Sequence, residues 1–432
     1  VIGTGYLGAT HAVCMAELGF AVLGLDVEQT KVDLLQSGEV PFFEPGLPEL
    51  LKKNLDTGRL RFTTSYEEVG AFGDVHFLCV GTPQKKGEYA ADMTYVNTAF
   101  RSLVPHLRPG ALIAGKSTVP AGTAERLAFE LAETSPLEAV ELAWNPEFLR
   151  EGFAVEDTLT PDRLVFGVES ARAEQLLRAA FAPVVDIPTP VVVTDLATAQ
   201  LVKVAANAFL ATKISFINAM AEVCEVTGGD VTKLSEALSH DTRIGGRFLH
   251  AGLGFGGGCL PKDIRAFMAR AGELGVDQAL TFLKDVDAIN LRRRTRMVEL
   301  ARELVGGSFQ GKKVAVLGAA FKPNSDDVRD SPALDVAGSI FREGGDVHLY
   351  DPEAMINAAK LVPEISYSAS TLEAAKDADI VLHLTEWQEF RSMDPDALAE
   401  VVAARRIVDG RNALDPVQWR AAGWTYRALG RP

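Results

Sequence analysis

The sequence predicts an α/β protein in which two parallel-sheet domains are joined by a central helical domain containing a long helix. Three observations carry that prediction. Short apolar runs alternate with segments of helical periodicity in the first half, a long apolar helical stretch begins at Leu196, and the alternation restarts at Lys312. A chain of 432 residues also exceeds what one hydrophobic core usually organises.

In the first half, strands are expected at Ala21 to Leu25, Val75 to Val80, Ala111 to Gly115 and Leu164 to Gly167. Leu7 to Leu18 and Met93 to Leu103 carry apolar residues at helical spacing and read as crossover helices. Leu196 to Val226 is apolar on nearly every side, the pattern of a helix buried between other elements, and a second helix is expected from Phe282 to Leu304. The restarted pattern gives strands at Lys313 to Leu317, Asp346 to Tyr350 and Ile380 to Leu384. Asp74 to Pro83 parallels Asp379 to Trp387, a faint internal repeat whose second copy lacks the glycine pattern that opens the first. The second copy should therefore hold a different ligand, or hold it differently. Domain boundaries fall at about 1–195, 196–305 and 306–432.

Composition narrows the function. Hydrophobic residues make up 47% and charged residues 23%, an ordinary globular balance, and the net charge of -15 argues against a nucleic-acid binder. The one basic run, Arg292, Arg293, Arg294 and Arg296, reads as a solvated helix face. Cys14, Cys79, Cys224 and Cys259 lie far apart without a CxxC pair, which speaks against a disulfide scaffold or structural zinc and fits a reducing, cytoplasmic setting. Three of them sit in apolar runs as small core residues, and Cys259 does not. No stretch is expected to reach the length of a membrane span, so no membrane partner is predicted. The chain opens at Val1 inside a strand, which suggests that its true start lies upstream.

Gly3-Thr-Gly5-Tyr-Leu-Gly8 follows a strand stub and opens a helix, and Asp26 ends the next strand, 23 positions after Gly3. Glycines there permit a tight turn and close backbone approach, the helix N-terminus faces a pyrophosphate, and the acid can bond a ribose hydroxyl. This is a Rossmann-like dinucleotide site, and the carboxylate of Asp26, which would repel a 2′-phosphate, favours NAD over NADP. Val80-Gly-Thr-Pro83 and Ser117-Thr-Val119 each follow a strand, where ligands sit in open α/β sheets, although ordinary turns read the same way.

Glu147 and Glu151 in NPEFLRE are four apart, hence on one face if the segment is helical. Lys203 and Asn207 are four apart in a helix with little polar surface, where a buried ammonium must find partners. GFGGGCLPKD at 254–263 is the sharpest signal: three consecutive glycines leave the backbone bare beside Cys259, so a bulky ligand can approach its sulfur. Asp263 is expected to start and cap the next helix, whose positive end, with Lys262, favours the thiolate. A nicotinamide site combined with an accessible nucleophilic cysteine points to a four-electron oxidation, in which the thiol captures an aldehyde as a thiohemiacetal that is oxidised to a thioester and hydrolysed.

These motifs, in this order, resemble the UDP-glucose/GDP-mannose dehydrogenase family along nearly the whole chain. They are GTGYLG, FFEPGL (42–47), GTP (81–83), STVP (117–120), NPEFLREG (145–152), Lys203 with Asn207, TRIGGRFL (242–249), GFGGGCLPKD, AFKPNSDDVRDSP (320–332) and DGRN (409–412). FFEPGL, and NPEFLREG followed by PDRLVFG, are most similar to the branch that oxidises UDP-glucose. The resemblance implies Cys259 as nucleophile, with Lys203, Asn207 and Asp263 positioning water and stabilising the oxyanion, and Thr118 and Glu147 assisting proton transfer and hydrolysis.

It places NAD on Gly3, Gly5, Tyr6, Leu7, Gly8, Asp26, Lys31, Thr82, Thr118, Glu151, Lys262 and Arg329. It places the UDP-sugar on Phe148, Leu149, Arg150, Glu151, Lys203, Asn207, Phe248, Leu249, Gly256, Lys322 and Arg411. Arg243 would reach the substrate of a neighbouring subunit, the central helical domain forming the interface of a homodimer or larger homo-oligomer. The family usually has Ser and Phe flanking the cysteine where this chain has Gly258 and Leu260, and position 31 is lysine where arginine is common. Alternatives are a sister dehydrogenase of a UDP-N-acetylhexosamine or GDP-mannose, and a catalytically silent binder of NAD and nucleotide sugar.

Overall fold

A computed structural model describes residues 1–134, 140–186 and 189–432. The glycine turn at the start of the chain organises the first sheet. Its strands are β1 (Val22–Leu25), β2 (Leu60–Thr63), β3 (Val75–Leu78), β4 (Leu112–Gly115), β5 (Glu141–Trp144), β6 (Leu164–Gly167) and β7 (Val191–Thr194). The opening strand is reduced to Ile2, which bridges in parallel to Leu25 of β1 on one side and to Leu78 of β3 on the other. The lateral order is therefore β2-β1-Ile2-β3-β4-β5-β6-β7. Every pair is parallel except β5 with β6, which meet antiparallel at Trp144 and Gly167. β1, β4 and β6 are buried along their whole length. Strands covered on both faces read as unbroken apolar runs, which is why they were legible.

The second sheet consists of β8 (Lys313–Leu317), β9 (Asp346–Tyr350), β10 (Ser366–Tyr367), β11 (Ile380–His383), β12 (Arg406–Asp409) and β13 (Thr425–Ala428). All its pairs are parallel and the order is β10-β9-β8-β11-β12-β13. Each sheet thus grows one way from its opening strand, then reverses and grows the other way. That reversal is the topological switch point at which doubly wound sheets bind ligands. The internal repeat has a structural counterpart, because β3 and β11 occupy the same position, next to the opening strand of their own sheet.

Most expected elements match within one or two residues, including helices at Tyr6–Glu17, Thr94–Leu103 and Phe282–Leu304. By compactness the chain divides into Val1–Ala206 with Arg265–Asp277, and Asn207–Ile264 with Gln278–Pro432. The helices Leu196–Thr227 and Leu260–Glu273 cross those divisions.

Two expectations are corrected here. The helix Leu196–Thr227 is long and apolar enough to cross a membrane by length and composition, contrary to the reading that no stretch is. Its buried polar residues have internal partners: Gln200 Oε1 accepts from Ala124 N, Ser215 Oγ donates to Val286 O, and Asn218 Oδ1 accepts from Gly252 N. Such partners suit a core helix, yet one face is open, for Phe209, Phe216 and Val223 are exposed at intervals of seven residues. The arginine run is not a solvated face either. Arg293 is fully buried against Glu225, and Arg294 is buried against Asp330 and Asp335. Consecutive residues spread around a helix at 100° intervals, so a run of arginines cannot all face water, and facing carboxylates make the inward positions tolerable.

Candidate active site

The glycine turn has three distinct steric roles. A Cβ on Gly3 would lie 2.7 Å from the Val80 side chain, and its φ of +86 is one that side chains rarely adopt. A Cβ on Gly8 would lie 1.7 Å from the Gly3 carbonyl oxygen, so the third glycine seats the helix on the turn. Gly5, at the helix N-cap, has open space where its Cβ would be. The first turn holds no acid and no side-chain cap. Its N–H groups are thus presented to an anion, as a dinucleotide requires.

Asp26 follows β1 and is buried. Its Oδ2 accepts from Thr4 N (2.9 Å) and Thr4 Oγ1 (3.1 Å), while Lys31 Nζ stands 3.2 Å away. Burial pushes this carboxyl up, but the amides of Thr4 and Glu28 with Lys31 outweigh it and hold the group below the usual carboxylate range. Asp26 and Lys31 therefore act together, beside the glycine turn. The Thr82 hydroxyl donates to Thr118 O (2.8 Å), tying the loop after β3 to the loop after β4.

Glu147 and Glu151 do not share a helix face, because 145–150 is irregular. Glu147 turns inward instead: Oε1 lies 3.0 Å from Lys203 Nζ and Oε2 accepts from Leu149 N (2.6 Å). Lys203 is buried, and this pairing is the partner its burial demands. Phe148 stacks under the Arg163 guanidinium at 3.8 Å from its ring centre, and Arg150 forks onto Asp157.

A second group of predicted residues meets at Asp263, four positions after Cys259. Asn207 Nδ2 donates to Asp263 Oδ2 (2.7 Å) and Lys262 Nζ to Oδ1 (2.6 Å), so both oxygens of this buried carboxylate are engaged. The expected cap role is corrected: the helix begins at Leu260 and Asp263 lies inside its first turn, its N–H donating to Cys259 O. Cys259 is exposed whereas the other three cysteines are buried and free.

The glycines before Cys259 are not simply bare backbone. A Cβ on Gly258 would lie 2.3 Å from the Arg329 guanidinium, one on Gly257 2.8 Å from the Phe321 ring, and one on Gly256 2.4 Å from Asp330 O. They admit neighbouring residues of the fold, Arg329 foremost, and Arg329 is itself aligned by Asp327. Arg411 donates to the carbonyls of Gly254, Phe321 and Leu384, lacing the loop before Cys259 to the second sheet, and Lys322 lies over the Phe321 ring. Phe248 has a left-handed φ of 65°, while Leu249 is buried in an apolar cluster with Ile217 and Ala221. Arg243 is exposed and paired with Asp241 of its own turn.

Sequence reasoning missed Glu44, which is nearly inaccessible and accepts from Gly152 N (2.6 Å), Ala154 N (2.7 Å) and the Tyr6 hydroxyl. It ties the glycine-turn helix to the residues flanking Glu151. The sequence signal was the acid of the FFEPGL motif, which carried the resemblance but gave no hint of these partners.

Family profiles match in three successive blocks. Residues 1–185 match the NAD binding domain of the UDP-glucose/GDP-mannose dehydrogenase family, 197–292 its central domain and 315–416 its UDP binding domain. The chain belongs to this family. A UDP-glucose 6-dehydrogenase of Rhizobium meliloti is 40% identical over 100% of this chain and 99% of its own, and one of Bacillus subtilis is 39% identical over 100% and 93%. A solved UDP-glucose dehydrogenase of Pyrobaculum islandicum superposes with a TM-score of 0.91 at 37% identity, covering 100% of this chain and 97% of that one. A UDP-D-ManNAc dehydrogenase of Pyrococcus horikoshii gives 0.86 at 27% identity, covering 100% and 98%. The open helix N-terminus, Gly5 and Asp26 are the features of the matched domain that fit NAD, and the family assignment makes the chain an NAD-dependent oxidoreductase.

Proposed function

We propose that this chain oxidises UDP-glucose to UDP-glucuronate with two equivalents of NAD, through a thioester on Cys259. The observation that carries the thioester is the single exposed cysteine, placed directly before a helix whose first turn carries Lys262 and Asp263, with Asn207 of the long helix bonded to Asp263. NAD, when bound, takes up the hydride in each of two oxidations. In the first, the sugar's primary alcohol becomes an aldehyde.

The Cys259 thiolate then adds to the aldehyde carbon, giving a thiohemiacetal whose oxyanion is stabilised by Lys203 and Asn207. The second oxidation leaves a thioester. Water, oriented by Asp263 and Lys203 and deprotonated with the help of Glu147 and Thr118, releases the carboxylate and frees the thiol. One alcohol, two NAD and one water thus yield one carboxylate, two NADH and three protons.

The remaining assignments belong to the same proposal. Gly3, Gly5, Tyr6, Leu7, Gly8, Asp26, Lys31, Thr82, Thr118, Glu151, Lys262 and Arg329 serve the cofactor. Phe148 to Glu151, Lys203, Asn207, Phe248, Leu249, Gly256, Lys322 and Arg411 serve the sugar nucleotide. Segments 1–195, 196–305 and 306–432 are its functional divisions. Four cysteines without a disulfide suit a cytoplasmic setting. The exposed Phe209, Phe216 and Val223 stripe supports a homodimer through the long helix. In such a dimer the exposed Arg243 reaches the partner's substrate, and Arg243→Ala raises KM for the sugar nucleotide without unfolding the protein.

NADH counting tests the core claim. Intact enzyme yields two NADH per UDP-glucose with no free aldehyde, and Cys259→Ala loses acid formation by orders of magnitude while still binding NAD. One NADH per sugar, or an alanine variant that still forms the acid, ends the thioester route. Greater efficiency on UDP-N-acetylmannosamine moves the protein to a sister branch.

A further inference from the structure

Lys116, the residue after β4, is buried among aromatic rings: its ammonium lies 5.7 Å from the centre of the Phe77 ring and 5.4 Å from that of Phe181. Burial pushes it down to about 8, against the pull of Cys79 and Glu147. A methionine would fill such a place without the desolvation cost of a cation, so the ammonium is to be explained by the polar group it meets. That group is Asn145. Lys116 Nζ donates to Asn145 Oδ1 (2.9 Å), and Asn145 Nδ2 donates to Val165 O of β6 (3.0 Å).

With both ends engaged, the fully buried Asn145 amide has one orientation. Its own N–H donates to Gly115 O (2.8 Å), so β4, β5 and β6 are clamped at this point. Two residues later stands Glu147, held to Lys203 at 3.0 Å.

We propose that Lys116 is a positioning residue for Glu147: by fixing the Asn145 amide it fixes the irregular segment that carries Glu147 to Lys203. The proposal rests on the reading that Glu147 assists proton transfer. A displacement of about 1 Å in a group of that kind costs on the order of a hundredfold in rate. Lys116→Met should lower kcat about 10- to 100-fold and raise KM for UDP-glucose, because Phe148 to Arg150 share the loosened segment, while KM for NAD stays within about threefold. Asn145→Leu, which also loses the bond to Val165, should cost at least as much, and the double variant should be no worse than Asn145→Leu alone, because the Lys116–Asn145 bond is already gone there.

Hydrogen exchange gives a readout that needs no turnover. Amides of 145–150 should exchange about tenfold faster or more in Lys116→Met, with the glycine-turn helix unchanged. If the unsubstituted enzyme turns over UDP-glucose and Lys116→Met does so within about twofold, the proposal is overturned. If the unsubstituted enzyme does not use UDP-glucose, the substrate reading fails, and exchange alone decides: unchanged protection of 145–150 overturns the positioning role. Should Lys116→Met not fold, Asn145→Leu takes its place, and normal turnover with normal protection there overturns the proposal equally.

Discussion

Three buried side chains illustrate how single residues of this chain are specialised by their surroundings. Burial pushes the thiols of Cys14 and Cys79 up to about 12 and about 11, which leaves them inert at neutral pH. Cys259, exposed beside a helix start, is the one thiol of the four open to solvent. Glu44 gathers two backbone N–H groups and the Tyr6 hydroxyl, and burial followed by Glu44 itself raises Tyr6 above the ordinary phenol range, so Tyr6 remains a donor. Glu44→Ala strands those donors, and a loss of about 2–4 kcal/mol in denaturant unfolding is expected, with weaker NAD binding because Gly152 adjoins Glu151. Glu44→Gln retains one acceptor and should lose less. A loss below about 0.5 kcal/mol for the alanine variant would show that the clamp contributes nothing.

At the scale of elements, the helix Tyr6–Glu17 and its turn separate fold from ligand in three glycines. Gly8→Ala drives a methyl group into the Gly3 carbonyl, 1.7 Å away, so it should depress stability and NAD binding together. Gly5→Ala meets nothing within 4 Å, so its melting temperature should stay near that of the parent while NAD binding weakens, since the added methyl fills the space a pyrophosphate needs. Thermal melts paired with NAD titration distinguish the two. Equal losses of NAD binding and of melting temperature in both variants would mean that Gly5 is a structural glycine as well.

Across the whole molecule, one device is used twice with opposite outcomes. The acid after β1 and the acid after β9 occupy equivalent places in the two sheets, and each binds the turn that follows the opening strand. Asp26 keeps company with a partly exposed cation, Lys31, beside an open helix start. Asp351 is fully buried and surrounded by donors from Ala319, Ala320, Ala354 and the Trp387 indole, which leaves it no oxygen for a ligand. Asp26→Asn should therefore weaken NAD binding and relax the preference against NADP. Asp351→Ala should cost about 2–4 kcal/mol of stability and leave the NAD dissociation constant within about twofold. Loss of NAD affinity in the Asp351 variant, measured on folded protein, contradicts this division.

What the sequence by itself determined was whatever depends on neighbours along the chain. The glycine turn, the strands Leu164–Gly167, Lys313–Leu317 and Asp346–Tyr350, and the helix Phe282–Leu304 are local in origin, being set by turn stereochemistry and apolar periodicity. Cys259 stood out for the same reason, as the one cysteine outside an apolar run. The tertiary structure decided everything whose partner is remote. Glu44 meets Gly152 and Ala154 across 108 and 110 residues, and Lys116 meets Asn145 across 29.

Glu147 is aimed by an ion pair with Lys203 and not by a helix face, and Asp263 by Asn207 across 56 residues. The arginine run was misread on the same account, because the carboxylates that draw Arg293 and Arg294 inward lie on other segments. Periodicity reports which face of an element is apolar. It is silent on which charges will be buried, since a buried charge is tolerated only where the fold delivers a counter-charge or a donor to it.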